Sequence, residues 1–129
     1  MSENSFVATA SQTELSGVAE GAIVRYKIAK LGTAKQQVAA AGAGEACFGI
    51  SQDGVATTVE VGIVVAGTSF VIAGAATTKG AWLKSDENAE AIDATAGDEV
   101  VGKCLSAAGA QGDRIPILVQ PHVLSMAGE

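Results

Sequence analysis

A small all-β domain, barrel or sandwich-like with an extended N-terminal arm, is the fold class this sequence predicts, and three observations predict it. From Gly97 to Gln120 two apolar runs, Val100-Val101-Gly102-Lys103-Cys104-Leu105 and Ile115-Pro116-Ile117-Leu118-Val119, are each opened by a Gly-Asp pair and separated by a small-residue turn. That is the grammar of consecutive short strands. Most of the chain from Gly21 repeats it, with β-branched runs punctuated by Gly, Asp and Asn. At 129 residues the chain has room for a single core.

Residues 1–20 are rich in Ser, Thr, Glu and Gln, and sustain neither helical nor strand periodicity. They read as a flexible arm, either a frayed terminus or a segment that orders on a partner by adding a strand to an exposed edge. The β-rich domain is expected over 21–124, and 125–129 is a tail. Within the domain, Ala22 to Ala29 alternates apolar and charged residues in its second half, as a half-buried strand does. Lys35 to Ala43 fits a short helix or a strand, and strand is preferred because only a few residues separate it from the run Ala46-Cys47-Phe48-Gly49-Ile50. Thr57 to Val65 and Ser69 to Ala73 then read as two strands joined by a tight turn at Ala66-Gly67-Thr68. Lys79 to Lys84 is a further strand turning at Ser85-Asp86-Glu87-Asn88, and Glu90 to Asp93 a brief one. The terminal pair described first completes the domain.

Composition narrows the function classes. Hydrophobic residues make up 48% of the chain but aromatic ones only 4%, and there are 25 alanines beside 16 glycines. Side chains this small each remove little apolar area from water, at roughly 25 cal/mol per Å². A symmetric oligomer would supply the missing burial. The net charge of −6 and the scatter of the eight basic residues argue against a phosphate backbone as partner. Arg25, Lys27, Lys30 and Lys35 form the one basic concentration and read as a solvated strand face. No apolar run reaches the roughly 18 residues of a membrane span, and the first residues lack the pattern of a secretory signal. Synthesis and assembly in a cytoplasm are therefore expected.

Catalytic chemistry is nearly absent. His122 is the single histidine and reads as a surface or interface residue. Cys47 and Cys104 lie in apolar segments without metal-ligand spacing and read as small buried hydrophobes. A disulfide between them needs Cα atoms within about 7 Å, which spacing alone leaves open. Asp86, Glu87 and Glu90 cluster in a turn and read as a solvated loop, not a cation site. No glycine pattern forms a phosphate cradle. Lys79 and Lys84 sit where a biotinyl or lipoyl carrier would present its modified lysine, but lack the Met, Asp or Ala flanks of such carriers. No enzymatic activity, cofactor or metal is expected.

The ordered blocks Gly21-Ala22-Ile23-Val24, Ala46 to Ser51, Val59-Glu60-Val61-Gly62, Ala73 to Gly80, Val100 to Ala108 and Gly112 to Leu118 resemble tailed-phage capsid decoration proteins, also called cement proteins. The resemblance covers roughly residues 20 to 120. It implies a β-rich domain that trimerises on the outside of an icosahedral head, at local threefold sites of the major capsid protein. It also implies that the N-terminal segment ties the trimer to the shell, with Phe6, Val7 and Leu15 as apolar anchors. Trp82 is a candidate for the trimer interface, and equally an ordinary core tryptophan. The implied location is the capsid exterior of a virion, with assembly in the host cytoplasm and neither nucleic acid nor membrane as partner. Other virion roles, a head-fibre base or a tail-tube component, would share this composition, as would a small carrier domain.

Overall fold

The computed structural model describes residues 12–125. They form nine strands and no helix: β1 (Gln12–Ala19), β2 (Ile28–Leu31), β3 (Gln37–Ala40), β4 (Gly49–Ser51), β5 (Glu60–Ile72), β6 (Trp82–Ser85), β7 (Ala91–Asp93), β8 (Glu99–Cys104) and β9 (Arg114–Val123). Their pairings make two closed circuits that share β5. In the first, β5 pairs with β1, β1 runs parallel to β3, and β3, β2 and β4 follow antiparallel back to β5. In the second, β5 pairs with β9, then β8, β6 and β7, and a parallel bridge from Ala73 to Ala91 closes the ring. Closure leaves few unpaired strand edges, the usual hazard of a small β-protein.

The expected turn at Ala66-Gly67-Thr68 is not there. β5 runs unbroken for 13 residues, and its two halves serve different rings. Thr13 pairs with Ala66 and Glu14 with Val64, so Val65 is an extra residue opposite β1, and Gly67 follows with φ of 96°. Such a bulge re-aims the strand and switches which side chains face inward. Val64 and Val71, an odd number of residues apart, accordingly both reach the larger core. Gly67 takes the left-handed conformation that a β-carbon would disfavour.

Alternation along the shared strands explains the two cores. Ala19, Ile23, Ala29, Val38, Val61 and Ile63 fill the first ring. Their neighbours of opposite parity, Ile28, Ile50 and Val64, face out of that ring and pack with Val71, Leu83, Val101, Cys104, Ile115, Ile117 and Val119. The wall of one ring is thus part of the core of the other, which makes a single domain. Narrow rings of this kind admit small side chains, and Ala19 and Ala29 in the first core and Ala73 and Ala91 in the second are buried. Gly49 and Gly102 lie where a β-carbon would strike the carbonyl oxygens of Val64 and Leu118.

Two further expectations are corrected. Ala22 to Ala29 is not one strand: Ile23 makes a single bridge to Val55, and Tyr26, at φ of 62°, turns the chain before β2 begins. Buried Ser51 holds that turn, its Oγ accepting from Lys27 N at 3.1 Å and donating to Val24 O at 2.7 Å. Ser51→Ala is expected to cost about 1–3 kcal/mol, the penalty for stranding buried backbone groups, with an unchanged m-value in urea unfolding. The second correction concerns the arm over 1–20, which includes Leu15. From Gln12 to Ala19 that segment is β1, paired along its length with β5 and at Val18 and Ala19 with β3, whereas Phe6 and Val7 lie outside the described residues.

Candidate interaction surface

The described residues hold no group of three or more His, Cys, Asp or Glu placed to bind a metal ion. The carboxylates near Asp86 serve the loop itself. Asp86 Oδ1 accepts from Asn88 N and Glu90 N at 2.7 and 3.0 Å, and Glu90 pairs with Lys27 at 2.8 Å. Lys84, one of the two carrier candidates, pairs with Asp98 at 3.1 Å.

What the surface offers instead is an apolar groove of about 280 Å³ on the first ring. Leu15, Ser16 and Gly17 of β1 form one wall, and the β2–β3 hairpin from Leu31 to Val38 forms the other, over Ile63 and Phe48. Leu15 is 54% exposed and Leu31 72%. Two leucines left this open on one groove represent apolar area that a partner surface would remove from water. Beyond Leu31 and Phe48 a second hollow continues toward Lys30, Glu45, Ala46 and Cys47. The rim is tied down by polar contacts: Lys30 Nζ meets Glu45 Oε1 at 2.8 Å, and the Glu20 carboxylate accepts from the Thr33 amide and hydroxyl at 3.1 and 2.8 Å. These hydrogen bonds hold both carboxyls below the usual range, Thr33 acting on Glu20 and Lys30 on Glu45.

Both cysteines are free thiols. Cys104 is buried in the larger core beside Thr77, whose hydroxyl accepts from Ala108 N at 2.8 Å. Burial pushes the Cys47 thiol up to about 11, with the charge of Glu99 adding to it. Iodoacetamide at pH 8 is therefore expected to label Cys47 about a hundredfold more slowly in the native than in the urea-unfolded protein, since only the thiolate reacts. Because the folded thiol keeps its proton to higher pH than the unfolded one, its stabilising effect is intact below pH about 9 and is lost as pH rises toward 11.

The sequence-derived sites fall far apart. Leu15 lines the groove, whereas Trp82 is half-buried on the second ring, its ring edge-on to His122 with centroids 4.6 Å apart and Lys103 Nζ 5.2 Å from its centroid. Its indole N–H finds no acceptor among the described residues. Leu31 and Phe48 were not singled out by sequence, because a leucine ending a half-buried strand carries no sign of its exposure.

The fold has a solved counterpart. The N base of head fiber gp8.5 of bacteriophage phi29 superposes on this chain with a TM-score of 0.72, covering 89% of this chain and 99% of that one at 14% sequence identity. At that identity the likeness is one of fold. No protein-family model matches the sequence, and no curated protein does.

Proposed function

We propose that this protein is a structural component of a phage virion, acting as a trimeric decoration or cement protein on the outer surface of the head. The observation that carries the reading is the likeness of fold to a phage head fiber base over nearly the whole of both chains. The order of glycine-spaced blocks, which resembles decoration proteins, supports it from an independent direction. In this role the protein would clamp neighbouring copies of the major capsid protein against the outward pressure of a packaged genome. The work is done by buried interface rather than chemistry, and the exposed leucines of the groove are suited to it. A trimer would make attachment multivalent, because each engaged subunit makes the next contact effectively intramolecular. The negative charge keeps an exterior protein from competing for the genome.

The structural neighbour, itself the base of a head fiber, favours a second reading, the base of a head fibre. Electron microscopy of heads incubated with the protein separates the two. Compact caps at threefold positions are expected for a cement protein, and projecting stalks at sparse positions, in a protein extended beyond this domain, for a fibre base. Native mass at micromolar concentration is expected to be three times the chain mass; a monomer would remove the trimeric part of the proposal.

A further inference from the structure

Both arginines of the chain, its single tyrosine and one of its phenylalanines meet at one place on the surface. They arrive from separate parts of the sequence: Arg25 and Tyr26 from the turn before β2, Phe70 from β5, and Arg114 from the start of β9. The Tyr26 and Phe70 rings are edge-on, with centroids 5.8 Å apart. The Arg25 guanidinium carbon lies 4.4 Å from the Tyr26 centroid, and that of Arg114 lies 4.6 Å from Phe70 and 5.6 Å from Tyr26. The platform is held from beneath. Tyr26 N donates to Ser51 O at 2.8 Å, and Tyr26 O accepts from Ile72 N at 3.0 Å.

Three of the six lysines, Lys27, Lys30 and Lys84, have a carboxylate partner, and neither arginine does among the described residues, although the chain carries 14 acidic groups. Arg25 Nε donates to Gln52 O at 3.1 Å. Asp113, next to Arg114, turns away to accept from Gly109 N and Ala110 N at 2.9 and 3.2 Å. Asp53, beside Gln52, forms no ion pair among the described residues. Both arginines are exposed. A guanidinium stacked on a ring keeps its in-plane N–H donors free, and that planar fork matches a carboxylate with two parallel hydrogen bonds. A nucleic acid is a poor fit, because two guanidinium groups release few counterions and the chain as a whole is negative.

The geometry points to Arg25, Tyr26, Phe70 and Arg114 as a docking site for an acidic segment of a partner protein, each guanidinium taking an Asp or Glu carboxylate. The site stands on these contacts alone and does not depend on the virion reading. Its test is a titration of the full chain with the peptide acetyl-Glu-Glu-Glu-Glu-amide at low ionic strength, followed by NMR of the arginine Nε–Hε and Tyr26 ring signals. Saturable shifts at both arginines and Tyr26 are expected, and no shift of Tyr26 in Arg25→Gln/Arg114→Gln. Arg25→Lys/Arg114→Lys, which keeps the charge but loses the fork, is expected to weaken binding fivefold or more. Amide dispersion reports whether each variant folds, and the single Arg114→Gln substitution, which removes no hydrogen bond of the Ser51 turn, serves if the double one does not. Shifts that fail to saturate, that persist in the glutamine variant, or that inorganic phosphate or an oligo-dT strand produces at equal or lower concentration would overturn the assignment.

Discussion

Gly102→Val is expected to destabilise the protein by about 3 kcal/mol or more, the upper range for forcing atoms into a packed interior. The reason is local and geometric. A β-carbon at 102 would strike the Leu118 carbonyl oxygen across the β8–β9 pair and approach Ile117 Cδ1 to 3.1 Å. Leu118 O belongs to the backbone and cannot swing aside, so either the ladder opens or Ile117 leaves the larger core. For a domain of this size the loss corresponds to a fall in melting temperature of about 10 °C. Gly109→Ala is the control. Its new methyl group would meet only Asp113 Oδ2, at an ordinary 3.7 Å, and a change within about 0.5 kcal/mol is expected. Thermal unfolding of both variants checks the pair; equal melting temperatures would mean that the second ring tolerates separation of β8 from β9.

The second large effect falls on attachment. Leu15→Asp combined with Leu31→Asp is expected to leave stability within about 1 kcal/mol, because both side chains already stand in solvent. Binding to heads is expected to weaken about a hundredfold. Covering the exposed part of two leucines contributes roughly 1–1.5 kcal/mol each, and two carboxylates in an apolar contact oppose it further. Urea unfolding and head binding measured on the same preparation separate the two effects. Unchanged binding by a folded double variant would move the attachment surface away from the groove.

The strands that were legible in the sequence are those whose side chains alternate around fixed turn chemistry. β8 and β9 follow their Gly-Asp openings, β6 and β7 flank the Asp86 turn, and β3 and β4 fall inside the segments 35–43 and 46–50 or within one residue of them. β1 was not legible, and its burial explains why. Its inward positions near the C-terminal end are Gly17 and Ala19, while residues 12–16 are exposed, so no apolar alternation marks it. Its pairing depends on β5, nearly fifty residues away, which no local pattern encodes. The continuity of β5 was hidden by Gly67, which reads as a turn in sequence but acts as part of a bulge. Leu15 was picked out only through the resemblance to decoration proteins, as an apolar anchor of the N-terminal segment. The groove arises from ring closure, which brings β1 beside the β2–β3 hairpin, and Leu31 gains its meaning only there.

Whether this domain binds the outside of a phage head is decided by co-sedimentation with undecorated, expanded heads. The bound amount is measured as the protein concentration is raised. Saturable binding at a ratio that is a multiple of three per capsid facet is expected. Absence of binding to any head, at protein concentrations well above those that saturate known decoration proteins, would contradict it.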